Sequence, residues 1–201
     1  MVFFKVCYGH RIYGKKHFAK GAAIIACNHA SFFDPPLIGA SLYPQIPFFL
    51  ARDTLFKKPI FSFFLGRFRA LPVKRGKENA AIFRMVLDTV KRGKKVTLFP
   101  EGTRTPTGKL LPAQPGIGLM VMRAGCRVIP MYVAGSYDIW NCHAQKPRYR
   151  GKIALVIGRS MEFTQLKGDK REVQQQISDR IMEKIAQLEQ WYLAGAKGEI
   201  P

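Results

Sequence analysis

The segment Asn28-His29-Ala30-Ser31-Phe32-Phe33-Asp34 places an imidazole five residues ahead of a carboxylate. If the chain turns tightly between them, Asp34 reaches back to the ring. It then accepts the Nδ1 proton, fixes the tautomer and stabilises the imidazolium that forms when His29 abstracts a proton. Taken alone the spacing is a weak signal, and it describes equally well a polar His beside a capped helix. Ser31 invites a nucleophile reading. It lies only two residues from His29, and no Gly-x-Ser-x-Gly elbow is present, so it reads better as a residue of a helix N-terminus.

A second loaded segment runs Leu98-Phe99-Pro100-Glu101-Gly102-Thr103-Arg104. It concentrates a carboxylate, a hydroxyl and a guanidinium around a flexible Gly. Arg104 can grip a phosphate with two parallel hydrogen bonds. Glu101 is suited either to bind substrate hydroxyls or to hold Arg104, although a solvated turn with an incidental ion pair has the same composition. Ala70 to Gly76 adds Lys74 and Arg75 just past an extended stretch, as a second phosphate contact or as an ordinary surface charge pair.

These segments need a scaffold that brings strand ends together. Ala22–Cys27 reads as a short buried strand leading into the first segment, and Lys95–Phe99 as a strand leading into the second. Phe48–Ala51, Phe68–Val73, Arg127–Ala134 and Ile153–Ile157 read as further strands. Between them, helices are predicted over Asp34–Tyr43, Thr54–Leu65, Lys77–Arg92, Gly116–Ala124 and Asp169–Tyr192. Pro35 and Pro36 suit a first helical turn. Ile82, Met85, Val86, Thr89 and Val90 share one helical face, and Val173, Ile177, Ile181, Ile185, Leu188 and Trp191 another. The alternation predicts one α/β domain over residues 1–201, with a mostly parallel mixed sheet flanked by helices. Functional loops of such sheets follow the carboxyl ends of strands, where the motif-bearing region 22–135 puts them.

The chain has 201 residues, enough for one sizeable core, and a formal net charge of +20. That charge selects anionic partners: nucleic acid, an acidic membrane surface or phosphorylated substrates. Between Ile46 and Val73, Phe48, Phe49, Phe56, Phe61, Phe63, Phe64 and Phe68 alternate with Arg52, Lys57, Lys58, Arg67 and Arg69. The mixture suits a lipid interface, or else a core rimmed with charge. No zinc-finger, RNP or helix-turn-helix pattern supports nucleic acid. No apolar run is long enough to span a bilayer, and Lys5 breaks any signal-peptide core. The expectation is a peripheral protein at the cytoplasmic face of a membrane. Cys7, Cys27, Cys126 and Cys142 lack metal or redox spacing and read as reduced thiols.

In combination and in this order, N-H-x-x-x-x-D, the Gly66–Gly76 block, F-P-E-G-T-R and Val128-Ile129-Pro130 resemble the lysophospholipid acyltransferase family, and within it the 1-acylglycerol-3-phosphate acyltransferases. The resemblance implies a glycerol-3-phosphate acyltransferase-like fold and an O-acyltransferase of phospholipid biosynthesis. His29 would deprotonate the hydroxyl of a lysophosphatidate-like acceptor, oriented by Asp34. The alkoxide would attack an acyl-CoA or acyl-carrier-protein thioester directly, giving phosphatidate. Arg75, Glu101, Gly102, Thr103 and Arg104 would hold phosphate and glycerol. Asn28 and Lys74 would support them, and Pro130 would help line the acyl site. Neither a metal nor another cofactor is implied. Two departures stand out: Lys74 where the family often has an acidic residue, and Pro112-Ala113-Gln114-Pro115 where it often has an aromatic and a Lys. The competing expectations are acylation of another lysophospholipid, a basic nucleic-acid-binding protein, and a lipid-binding protein that keeps the fold without the chemistry.

Overall fold

The structure is a computed structural model that describes residues 2–57, 65–67, 69–73, 78–163 and 168–201. Its strands are β1 Arg11–Tyr13, β2 Ala23–Cys27, β3 Phe48–Arg52, β4 Ala70–Val73, β5 Lys95–Leu98, β6 Val128–Ala134 and β7 Ala154–Ile157. Its helices are α1 Val2–Tyr8, α2 Asp34–Ser41, α3 Asp53–Phe56, α4 Glu78–Lys91, α5 Gly116–Ala124, α6 Ser136–Trp140 and α7 Lys170–Leu193.

The strands form one sheet in the order β1-β7-β6-β2-β5-β3-β4. From β6 to β4 every neighbouring pair is parallel. β7 runs antiparallel to β6 and parallel to β1. The expected mostly parallel mixed sheet with flanking helices is therefore the architecture found.

Strand alternation divides the core into two layers. Ile24, Ala26, Val96 and Leu98 pack with α4, α5 and α7, through Val86, Val90, Ile117, Met120, Ile177 and Ile181. Ala23, Ile25, Cys27, Ile129 and Met131 face α1, α2 and α6, through Phe4, Tyr8, Leu37, Ile38 and Ile139. β2 is buried along its whole length between them, which is why it reads as an unbroken apolar run. The α7 stripe buries Val173, Ile177, Ile181, Ile185 and Leu188, each stabilising by about 2 kcal/mol. Its start is fixed by a capping box between Asp169 and Glu172. α5 crosses α7 so closely that a Cβ at Gly118 would stand 1.9 Å from the Gln174 carbonyl oxygen, so only Gly fits there.

Three elements were not anticipated. α1 (V-F-F-K-V-C-Y) is a single short helix rich in β-formers, β1 has three residues, and α6 has five. Each falls below the length at which periodicity is legible. The predicted helix Thr54–Leu65 shrinks, in its described part, to α3, with residues 65–67 also helical; residues 58–64 lie outside the described set. Within the Phe-rich stretch, Phe49 is buried and Phe48 and Phe56 are half-buried. Phe61, Phe63, Phe64 and Phe68 lie outside the described residues. Among the described residues, no helix is long and apolar enough to cross a membrane.

Candidate active site

β2 and β5 are parallel neighbours, with Ala26 opposite Leu98. Continuing that register by three residues sets His29 level with Glu101, so the two loaded segments leave the sheet side by side. Asn28 ends the ladder with its side chain. Its Oδ1 accepts from the Val133 N–H at 2.7 Å, and its Nδ2 donates to the Val133 carbonyl at 3.1 Å. The amide thus stands in for a backbone unit and pins the start of the loop to β6.

The chain then folds back on itself around Asp34. Asp34 is fully buried, and its Oδ2 accepts from the His29 ring Nδ1 at 2.8 Å, the Ala30 N–H at 2.7 Å and the Ser31 N–H at 2.8 Å. A carboxylate can only accept in this position, so Nδ1 carries the proton and Nε2 is left as the basic nitrogen. Asp34 Oδ1 is buried without a hydrogen-bond partner among the described residues. Phe99 stacks on the imidazole, with centroids 3.9 Å apart and planes 15° apart. The ring is therefore held by its edge and by one face, and its side chain keeps 18% of its surface open.

Glu101 is 1% exposed. Its Oε1 accepts the His29 backbone N–H at 2.8 Å, and its Oε2 accepts the Leu111 N–H at 3.0 Å. Thr105 completes the brace, its N–H donating to the His29 carbonyl at 2.8 Å. Glu101 thus ties two loops through their backbones, and both its oxygens are engaged there. Burial pushes its carboxyl up to about 7 against the pull of the two backbone donors, with Asp34 and Glu189 adding to the rise.

Gly102 and Thr103 are exposed at the tip of this loop, and Gly102 adopts φ +70°. Arg104 lies flat over Phe32, its guanidinium carbon 3.5 Å from the ring centroid. Phe32 in turn packs against Trp140 at 4.9 Å. A guanidinium seated over an aromatic face gains a cation–π contact there.

Ser31 is fully buried. Its hydroxyl donates to the Trp140 carbonyl and accepts from the Phe33 N–H. It is a loop fastener, turned to the backbone. Cys27 lies fully buried beneath the loop, and burial, followed by the Asp34 and Glu101 charges, pushes its thiol well up, so it supplies no thiolate.

Of the sequence candidates, Asn28, His29, Asp34, Glu101, Gly102, Thr103 and Arg104 come together at the carboxyl ends of β2 and β5. Pro130 does not join them. It sits inside β6 opposite Ala26, its carbonyl accepts from the Gly158 N–H, and its ring lies against the Gly158 and Leu188 side of the sheet. Alternation along β6 points it at α7. Lys74 and Arg75 lie outside the described residues. Sequence reasoning missed Phe99 as the platform for the base, Phe32 as the platform for Arg104, and Thr105 and Leu111 as backbone partners. The two Phe residues sit inside the motifs and were legible in principle, whereas backbone N–H groups leave no residue signature.

Known proteins resemble this chain in sequence and in fold. A curated 1-acyl-sn-glycerol-3-phosphate acyltransferase of Bacillus subtilis is 25% identical over 154 residues, covering 76% of this chain and 74% of that one. One from Cocos nucifera is 29% identical over 134 residues, covering 65% of this chain and 43% of that one. The crystal structure of the 1-acyl-sn-glycerophosphate (LPA) acyltransferase PlsC from Thermotoga maritima superposes with a TM-score of 0.72 at 21% identity, over 92% of this chain and 75% of that one; at that identity the likeness speaks for the fold. The family model described as Acyltransferase matches residues 9–134, a span that holds the whole braced His29 loop, and the chain belongs to the acyltransferase family.

Proposed function

We propose that this protein moves a fatty acyl group from an acyl thioester, acyl-CoA or acyl-carrier protein, onto the free hydroxyl of 1-acyl-sn-glycerol 3-phosphate, giving phosphatidate. The observation that carries the reading is the His29–Asp34 pair at 2.8 Å, its loop locked by Glu101 and the His29 side chain 18% open to solvent. His29 Nε2 takes the hydroxyl proton as the oxygen adds to the thioester carbonyl. The tetrahedral adduct collapses, the C–S bond breaks, and the proton passes from Nε2 to the leaving thiolate. The buried Asp34 carboxylate stabilises the imidazolium between those two transfers. No protein nucleophile is required, in keeping with the burial of Ser31.

Arg104 grips the acceptor phosphate from its Phe32 platform, and Arg75 with Lys74 adds to that charge. Gly102 and Thr103, exposed at the loop tip, meet the glycerol. Glu101 acts on the reaction through the backbone of His29 and so is a positioning residue. The scheme uses no metal or cofactor beyond the acyl carrier.

Both substrates' chains are lipid, and the reaction is read as taking place at an anionic membrane surface. Val2, Phe3 and Val6 on α1 are 77%, 56% and 77% exposed. From Phe4 an aromatic chain runs through Phe33 and Trp140 to Phe32 and so to Arg104. Apolar side chains beside a strongly basic body suit an anionic bilayer.

The test is direct. Purified protein is incubated with lysophosphatidate and acyl-CoA or acyl-carrier protein, and phosphatidate is quantified. Product is expected from one donor or both, with Arg104→Ala raising KM for the acceptor roughly tenfold or more, as loss of a charge-assisted pair implies. Absence of product with every donor, or an Arg104→Ala defect confined to the donor, overturns the assignment. Sedimentation with phosphatidylglycerol vesicles, weakened by Phe3→Ser and Val6→Ser, tests the membrane part separately.

A further inference from the structure

At the amino ends of the strands, opposite the His29 loop, a pocket of about 250 Å³ opens between the turn after α2 and the turns before β4 and β5. Three of its lining residues are cations: Arg69, Lys94 and Lys95. Among the described residues, no Asp or Glu lines it. Lys95 is only 8% exposed, and buried lysines are ordinarily paired with a carboxylate. Here the ammonium has a neutral partner, Gln45 Oε1 at 3.3 Å, and stands 4.7 Å from the centre of the Phe18 ring. Burial, and after it the charge of Arg127, lowers its pKa, so the charged form lacks the compensation that an anion supplies.

Arg69 is held as though for a purpose outside the chain. It takes φ +52°, which costs a non-Gly residue about 1–2 kcal/mol. Its guanidinium is steadied by the Ile46 carbonyl at 3.4 Å and by the Phe48 ring at 5.7 Å. A planar fork and a buried point charge, with Lys94 beside them, match a tetrahedral oxyanion better than a single carboxylate. The volume lies just under the small-ligand range of about 300–1,000 Å³, which suits a phosphate with a short organic substituent. β5 separates Lys95 from the Phe99–Arg104 loop by its four residues, about 13 Å of rise, so this anion site is separate from the one at Arg104.

We propose that the Arg69–Lys94–Lys95 pocket is a second, non-catalytic site that binds a phosphate group, presented either by a soluble phosphate ester or by a phospholipid headgroup. The assignment does not rest on the acyl-transfer reading and is tested without it.

The experiment follows the backbone amides of Gly93 and Lys94 and the Gln45 side-chain amide by ¹⁵N NMR on the full chain. Three probes are titrated: inorganic phosphate, glycerol 3-phosphate, and phosphatidylcholine vesicles with and without phosphatidylglycerol. Saturable shifts at these three groups are expected, with affinity falling tenfold or more in Lys95→Met and in Arg69→Gln and unchanged in Arg104→Ala. Saturation by the soluble probes assigns a soluble phosphate ester. Broadening of these signals only with phosphatidylglycerol vesicles assigns a headgroup. Shifts confined to residues 99–105, or shifts equal in wild type and in folded Arg69→Gln, overturn the proposal. Arg69 is exposed, so its variant keeps the test decisive even if Lys95→Met is unstable.

Discussion

Glu101 Oε1 accepts the backbone N–H of His29 at 2.8 Å, while its other oxygen accepts from Leu111. His29 is therefore held through its backbone by a buried carboxyl that also ties in Leu111. A glutamine at this position keeps the size but offers one acceptor and one donor, so one of the two N–H groups faces an N–H₂. Glu101→Gln should cost about 1–3 kcal/mol in urea unfolding. Its kcat should fall at least tenfold with the acceptor KM changed by less than about twofold. A KM effect with kcat intact would return Glu101 to the substrate-binding role suggested by its motif.

The same carboxyl makes stability depend on pH in an uncommon direction. Its pKa is raised from the ordinary carboxylate value near 4.5 to about 7 in the fold. Between those values the native state holds a proton that the unfolded chain has released. Stability from this group is thus full below about pH 4.5, falls as pH rises and is lost above about pH 7. The swing is on the order of 3 kcal/mol. Unfolding free energies at pH 5 and pH 8 should differ more in wild type than in Glu101→Gln. Parallel pH profiles for the two proteins would contradict this.

Removing the base should be close to complete. His29→Ala is expected to lower kcat by about 10³-fold or more, and Asp34→Asn by about 10²–10⁴-fold through loss of the tautomer and of charge support. Asp34→Asn also weakens the caps on Ala30 and Ser31, so its unfolding should be measured alongside. Normal turnover in His29→Ala would sink the mechanism.

Asn28 offers a test of position rather than chemistry. Its side chain satisfies both backbone groups of Val133. Asn28→Ala leaves them buried and unpaired, at a cost of about 2–4 kcal/mol. Calorimetry of the variant should show a clear fall in Tm. An unchanged Tm would mean that water replaces the amide.

At Gly102 two effects separate cleanly. A Cβ there meets Gln114 Cγ at 2.8 Å, and φ is +70°. Gly102→Ala should raise acceptor KM and destabilise by about 1–2 kcal/mol. Adding Gln114→Ala should restore the part due to the clash and leave the part due to φ. Full rescue would show that backbone strain contributes nothing.

The sequence carried the site unevenly, and for physical reasons. The five-residue spacing of His29 and Asp34 suggested the pairing the structure shows, but it was the order of the other motifs that lent the spacing weight. The sheet was legible from β2 and β6, whose apolar runs are fully buried. What Glu101 does was hidden, because both its partners are backbone N–H groups and any residue can supply those. Pro130 stands inside β6, and a motif shared by a family marks a strand core as readily as a site. α1 and β1 were too short to show a period.

The brace between the two loops has a consequence for their motion. The amides of His29, Ala30, Ser31, Thr105 and Leu111 all lie outside regular helix or strand, yet each has a fixed acceptor. Surface loops ordinarily exchange their amide protons quickly. These five should instead exchange as slowly as the strands β2 and β5 beside them, and together. The catalytic loop then opens only when the centre of the sheet does, so protection of the base and survival of the fold become one measurement.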